Sequence, residues 1–236
     1  MKRLLSFALI FGLVFAIFYC AKAPQKMEFK PDKVHLLPGL PDTSRVEGGI
    51  DAVPEGNMIR LEWLPSPEEE VVFYEIFRAH SRSEPFVLIA KVAVPDTSYQ
   101  DGDVAFYEKN YYYVTSLTDE DDRSDPSDTL EYTLVPKVIH LAPSGTILET
   151  RPVFSWDEQN EHNYVIRLLE SSSMKPVWIA TVSSQYQDRV SVPFNSDGLA
   201  ALDSLERGKD YQWRVDVSRP EAFIGSESEW SQFQIQ

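Results

Sequence analysis

Carboxylates are the first groups in this sequence that invite a chemical reading. Glu158 and Glu161, or the run Glu68-Glu69-Glu70, would serve as acid and base only if two carboxyls faced each other across a pocket that shifts their pKa values. Both stretches read more simply as charged, solvated loops. The acidic segment Asp119-Glu120-Asp121-Asp122-Arg123-Ser124-Asp125 has the oxygen density that calcium wants, yet Arg123 stands where an EF-hand-like loop needs a ligand and Ser124 where it needs glycine. An Asp- and Ser-rich turn between strands is the expected role. His35, His80, His140 and His162 lie far apart, none with a second histidine at ligand spacing. Cys20 is the only cysteine, which excludes an intrachain disulfide and any cysteine-built zinc or iron–sulfur site. No phosphate loop, G-x-S-x-G elbow or H-E-x-x-H occurs. A non-catalytic protein without cofactor or metal is expected.

The elements around these groups begin with an address. Lys2 and Arg3 precede an uncharged, mostly apolar run from Leu4 to Tyr19 that ends at Cys20. A sole cysteine closing such a run resembles the acceptor of a bacterial lipoprotein, whose thiol is acylated before cleavage. Ile17-Phe18-Tyr19-Cys20 departs from that pattern, because Tyr19 stands where small residues are preferred. Two other fates stay open. Residues 4–19 would also serve as an uncleaved anchor with Lys2 and Arg3 inside, and Ala21-Lys22-Ala23 is a signal-cleavage-like site followed by Pro24. All three export the body of the protein. Residues 1–20 are thus read as signal or anchor, and residues 21–37, with Pro24, Pro31 and four lysines, as an extended tether.

The 236 residues are 43% hydrophobic and 12% aromatic, which places the body among core-forming chains. The net charge is -15, and residues 38–136 hold seven Lys/Arg against twenty-one Asp/Glu. Such a surface repels phosphate backbones and argues against nucleic-acid binding. From Leu37 the text becomes short Val-, Ile- and aromatic-rich runs, broken every 8–12 residues by Pro, Gly, Asp or Ser. Ile59, Leu61 and Trp63 alternate with polar residues; Tyr74, Ile76 and Arg78 continue the pattern; Phe86, Leu88, Ala90 and Val92 repeat it. The same grammar returns after residue 137, aligning Trp63 with Trp156, the Tyr74 strand with the Tyr164 strand, and Val114 with Val215. Two units are expected, 38–136 and 137–236, joined at Leu134-Val135-Pro136-Lys137 in a restrained, elongated arrangement.

Both halves resemble fibronectin type III domains. The first carries Trp63, YEIFR at 74–78, Tyr112/Val114/Ser116 and a closing SDPSDTLEYTL; the second carries RPVFSW at 151–156, YVIRL at 164–168 and Leu205…Gly208…Tyr211-Gln212-Trp213-Arg214-Val215. The resemblance implies an all-β protein of two tandem immunoglobulin-like sandwiches. It departs at Asn110, which takes the usual corner position of a tyrosine, and at 194–206, where Leu199 to Leu205 has room for a helical turn. Patterns of core residues specify a fold and not a chemistry. Trp178 falls out of phase with Val177 and Ile179, and Trp230 is not easily placed, so these two are the candidate binding surface, for a sugar ring or a protein partner. The function expected is a membrane-tethered binding or spacer protein acting on envelope proteins, with carbohydrate binding as the alternative.

Overall fold

Ile59, Leu61 and Trp63 can all face one way only if their backbone is a strand, and in the computed structural model they are at most 2% exposed. The structure describes residues 29–158, 163–184, 188–219 and 223–236. The expectations for residues 1–20, including lipidation of Cys20, lie outside the described residues. Among those described there is no helix, so none long and apolar enough to cross a membrane.

Seven strands build the first unit: β1 (Asp51–Ala52), β2 (Ile59–Glu62), β3 (Val71–Ala79), β4 (Val87–Ala93), β5 (Ser98–Asp101), β6 (Lys109–Thr118) and β7 (Leu130–Leu134). They form two layers, β1-β2-β5 and β4-β3-β6-β7, all antiparallel. Between the layers lies a core that includes Ile59, Leu61, Trp63, Tyr74, Ile76, Tyr112 and Val114.

The second unit adds β8 (Ile139–Ala142), β9 (Gly145–Ile147), β10 (Val153–Asp157), β11 (Asn163–Glu170), β12 (Lys175–Ser183), β13 (Arg189–Pro193), β14 (Asp210–Arg219), β15 (Ile224–Glu227) and β16 (Ser231–Ile235). Its layers are β8-β10-β13 and β12-β11-β14, with β14 paired to both β15 and β16. A second core gathers Phe154, Trp156, Tyr164, Trp178, Tyr211 and Trp213. The internal repeat is geometric as well as textual. Trp63 meets Tyr74 edge-on at 5.3 Å, and Trp156 meets Tyr164 edge-on at 5.3 Å.

Four local expectations need correction. Val34 and Leu36, placed in the tether, are buried in the first core, and Leu36 bridges to Trp63. An apolar pair beside an open strand edge is captured by the core, so the extended tether cannot run to residue 37. Leu88 does not continue the inward alternation: the β3–β4 register shifts between Ile76 and Phe77, turning Leu88 outward while Ile89, Ala90 and Val92 pack on the core. The stretch from Leu199 to Leu205 forms bends and no helical turn, held by Ala200 N–H donating to the Asn195 side chain and Leu205 N–H to the Thr150 carbonyl. The fourth is Trp178, which lies buried in the second core.

Candidate functional site

Charged residues in the middle of a strand normally mark its wet face. Arg167 on β11 and Arg214 and Asp216 on β14 alternate with core residues and so point away from the second core. Yet Arg167 is 3% exposed, and Arg214 and Asp216 are 1%. The loop from Pro41 to Gly49 of the first unit lies across them as a strap. Arg167 donates from Nη2 to the Asp42 carbonyl at 2.7 Å and pairs through Nε with Glu47 at 2.9 Å. Arg214 contacts Glu47, donates to Asp216 at 2.8 Å and donates to Glu227 of β15 at 2.6 Å.

Backbone pairing finishes the joint. β15 runs parallel to β7, aligning Ile224 with Thr133 and Gly225 with Leu134, so the larger layers of the two units merge into one ten-stranded sheet. Lys137 donates to the carbonyls of Val53 and Pro54 at 2.7 and 2.8 Å, and Ser226 donates to that of Pro136 at 3.1 Å. Gly225 permits the approach, because a Cβ there would stand 2.7 Å from the Tyr132 hydroxyl and 2.8 Å from the Val217 carbonyl oxygen.

This joint holds the carboxyls raised furthest among the described residues. Burial pushes Asp51 up to about 7, with Asp42 and Asp216 adding repulsion. Burial also raises Asp216 to about 6, against the pull of Arg214, and raises Glu227. The Arg214 guanidinium rises in turn, held by Asp216, Glu227 and Glu47 against its own desolvation. Glu47, Asp216 and Glu227 bring oxygens within 4.8 Å of one another, the spacing of a metal cage. The guanidinium of Arg214 already bonds to all three, so the centre of that cage is filled by the chain's own cation. Beside it, a cavity of about 120 Å³ is bordered by Asp42, Asp51, Tyr132, Ser218 and Phe223.

A second concentration of chemistry sits on the open face of β3 and β6. Phe77 and Tyr113 stack at 4.7 Å and 20°, and Phe86 lies 4.8 Å from Tyr113. Arg123 reaches over Phe77 while its guanidinium pairs with Glu75 at 2.7 Å. Lys91 lies 4.3 Å above Phe73, and Arg82 lies 5.2 Å from the centre of the Tyr111 ring.

The residues singled out in the sequence fall elsewhere. Trp178 is a core residue, 1% exposed, packed against Phe154 and Phe194, its indole N–H donating to Asp197 at 2.9 Å. A register shift on β12 between Trp178 and Pro176 lets Val177 and Trp178 both turn inward, which removes the phase conflict and the exposed ring. Trp230 is half-buried, with the Arg214 guanidinium 4.9 Å from its ring. It borders a groove of about 510 Å³ with Lys137, Ile139, His140 and Glu229. The structure does not bring Trp178 and Trp230 together as a surface. In the acidic loop, the half-exposed Arg123 reaches out to pair with Glu75, and Thr118 N–H donates to the Asp122 carbonyl.

No family model matches the chain. An 88-residue stretch is 32% identical to an amylopullulanase of Thermoanaerobacter thermohydrosulfuricus, covering 37% of this chain and 6% of that enzyme. Among solved structures, an Fn3-like protein from Clostridium thermocellum is 28% identical over 39% of this chain and 93% of its own, with a TM-score of 0.31. A two-domain fibronectin type III segment of chicken tenascin is 15% identical over 86% of this chain and 97% of its own, with a TM-score of 0.33. The strand order decides the architecture: three strands face four, with β4 beside β3 and β12 beside β11. The chain is an all-β tandem of fibronectin type III-like sandwiches. The corner of the second sandwich fits that description, since Glu206 N–H donates to the Tyr211 hydroxyl at 3.0 Å. In the first sandwich Asn110 keeps the corner position and donates instead to the Glu108 carbonyl.

Proposed function

We propose that this chain is an exported, membrane-tethered, non-catalytic spacer that recognises protein partners in the cell envelope. One observation carries the reading. The strongest concentration of perturbed ionisable groups among the described residues, Asp51, Arg214, Asp216 and Glu227, is tied internally and buried at the joint, where it fixes two sandwiches relative to each other. A catalytic pair needs access to substrate; these groups are at most 6% exposed. Rigidity is what a spacer requires.

Photo-crosslinking of the full-length protein in its native membranes tests this reading. Recovery of a defined protein assembly, with no turnover of ester, glycoside or peptide substrates by the pure protein, is the expected result. Turnover of any of these, or the absence of protein adducts, would sink it.

A second reading has its own support. The partial likeness to an amylopullulanase, together with a half-buried Trp230 beside an open groove, favours an accessory carbohydrate-binding role. Glycan-array binding lost in Trp230→Ala would favour it over protein recognition.

A further inference from the structure

The two sandwiches use one position in opposite ways. Superposing Tyr74 on Tyr164 and Val114 on Val215 places the Phe77–Tyr113 cross-strand pair where the second unit has Arg167–Arg214. In the second unit that pair lies under an acidic strap, which supplies Glu47 and the Asp42 carbonyl. In the first unit the corresponding rings are half-buried and bordered by exposed cations.

The charge distribution sharpens the contrast. Residues 38–136 carry a net charge of -14 with seven cations among them. Two of the seven are engaged away from this face, Arg60 on Glu62 and Arg78 on Asp101 and Asp103. Arg82, Lys91 and Arg123 gather instead on the aromatic face, where Glu75 and Glu131 are the acids paired with them. Three of the seven cations of this acidic unit thus border its open aromatic rings, two of them paired with Glu131 and Glu75, and such a rim favours an acidic partner over a basic one.

We propose that the open face of β3 and β6 is a docking site for an acidic, apolar-containing polypeptide segment of a partner protein, which covers Phe77, Tyr113 and Phe86 and places its carboxylates against Arg82, Lys91 and Arg123. The segment plays on the first sandwich the part that the Pro41–Gly49 strap plays on the second. Its apolar residues lie on the stacked rings, and its acids answer the rim. The inference rests on the protein-recognition reading above and names the surface and the partner chemistry.

The test uses the full chain, isotope-labelled in detergent, titrated with a short synthetic Glu–Val repeat peptide and with a Lys–Val peptide of equal length. The expected result is a set of NMR shift changes centred on Phe77, Tyr113 and Lys91 with the acidic peptide, absent with the basic one. Arg82→Glu/Lys91→Glu should weaken binding about tenfold or more, while Arg82→Lys/Lys91→Arg keeps it, both unfolding at the wild-type temperature. Equal binding of both peptides, no shifts on this face, or the same resonances moved by a neutral glucan oligomer would overturn the proposal. Protein adducts in native membranes with no peptide contact on this face would remove the site and leave the broader reading standing. Absence of such adducts removes that reading whatever the peptide does.

Discussion

The Tyr132 hydroxyl donates to the Asp51 carboxylate at 3.0 Å, joining the last strand of the first sandwich to its first. The pair is buried at the joint, with Gly225 of the second sandwich against the same hydroxyl. Tyr132 is thereby raised well above its usual value by burial and by the neighbouring Asp51 charge. Asp51, 6% exposed, is raised chiefly by desolvation, with the Asp42 and Asp216 charges adding to it and the Tyr132 hydrogen bond opposing it.

Asp51 gives a pH dependence whose sign is fixed. Its native pKa, about 7, lies above the 3.8 of the free side chain, so the folded protein holds a proton that the unfolded chain has lost. The stabilisation is complete below pH 4 and disappears as pH rises through 7. Asp216, raised to about 6, acts in the same direction. The protein should therefore be more stable at pH 5 than at pH 8, by on the order of 4 kcal/mol, and should melt at a correspondingly higher temperature at pH 5. Asp51→Asn should flatten much of that slope in calorimetry; an unchanged slope would contradict the assignment.

Arg214 neutralises three acids at once. Replacing it with Met leaves Asp216 and Glu227 buried without their principal counter-charge, at a cost of about 3–5 kcal/mol in urea unfolding. Adding Asp216→Leu and Glu227→Leu to the same chain should recover most of the loss. If the triple variant is no more stable than Arg214→Met, the cost comes from packing and not from stranded charge.

Glu47 fastens the strap. Its carboxylate meets both Arg167 and Arg214, while Arg45 two residues away is exposed. Glu47→Ala should raise the rate of tryptic cleavage after Arg45 about tenfold, through a larger population of undocked strap. Cleavage at the wild-type rate would show that the Asp42 carbonyl and the flanking backbone hold the strap unaided.

Cys20 is tested by mass. Detergent-extracted protein should begin at Cys20 and carry acyl chains, and Cys20→Ser should carry none. A full-length mass in both would make residues 4–19 a retained anchor, whereas a shortened, lipid-free chain would mean release.

The sandwiches were legible because their signal is local. Trp63, Tyr74, Trp156, Tyr164 and Val215 repeat at core spacing, and strand burial obeys alternation. Trp178 defeats a phase argument because a bulge changes which way a side chain points, and the shift between Trp178 and Pro176 leaves no mark in residue type. The joint was hidden for a different reason. Arg167, Arg214 and Asp216 sit at outward positions, and only the docking of a loop more than a hundred residues upstream buries them. The aromatic face left a trace: Phe73, Phe77, Tyr111 and Tyr113 fall on the phase opposite to the core residues Tyr74 and Tyr112, a surplus of rings that the core does not use.

The strap has a consequence for how this gene could be cut and recombined. By chain order Pro41–Gly49 travels with the first sandwich, but its side chains complete the charge balance of the second. A fragment beginning at Lys137 would inherit Arg167, Arg214, Asp216 and Glu227 without the Glu47 carboxylate or the Asp42 carbonyl that meet them. The smallest heritable piece that keeps this sheet face in balance is therefore the pair of sandwiches, and domain shuffling at the linker would yield a second unit that differs from the one in the parent chain.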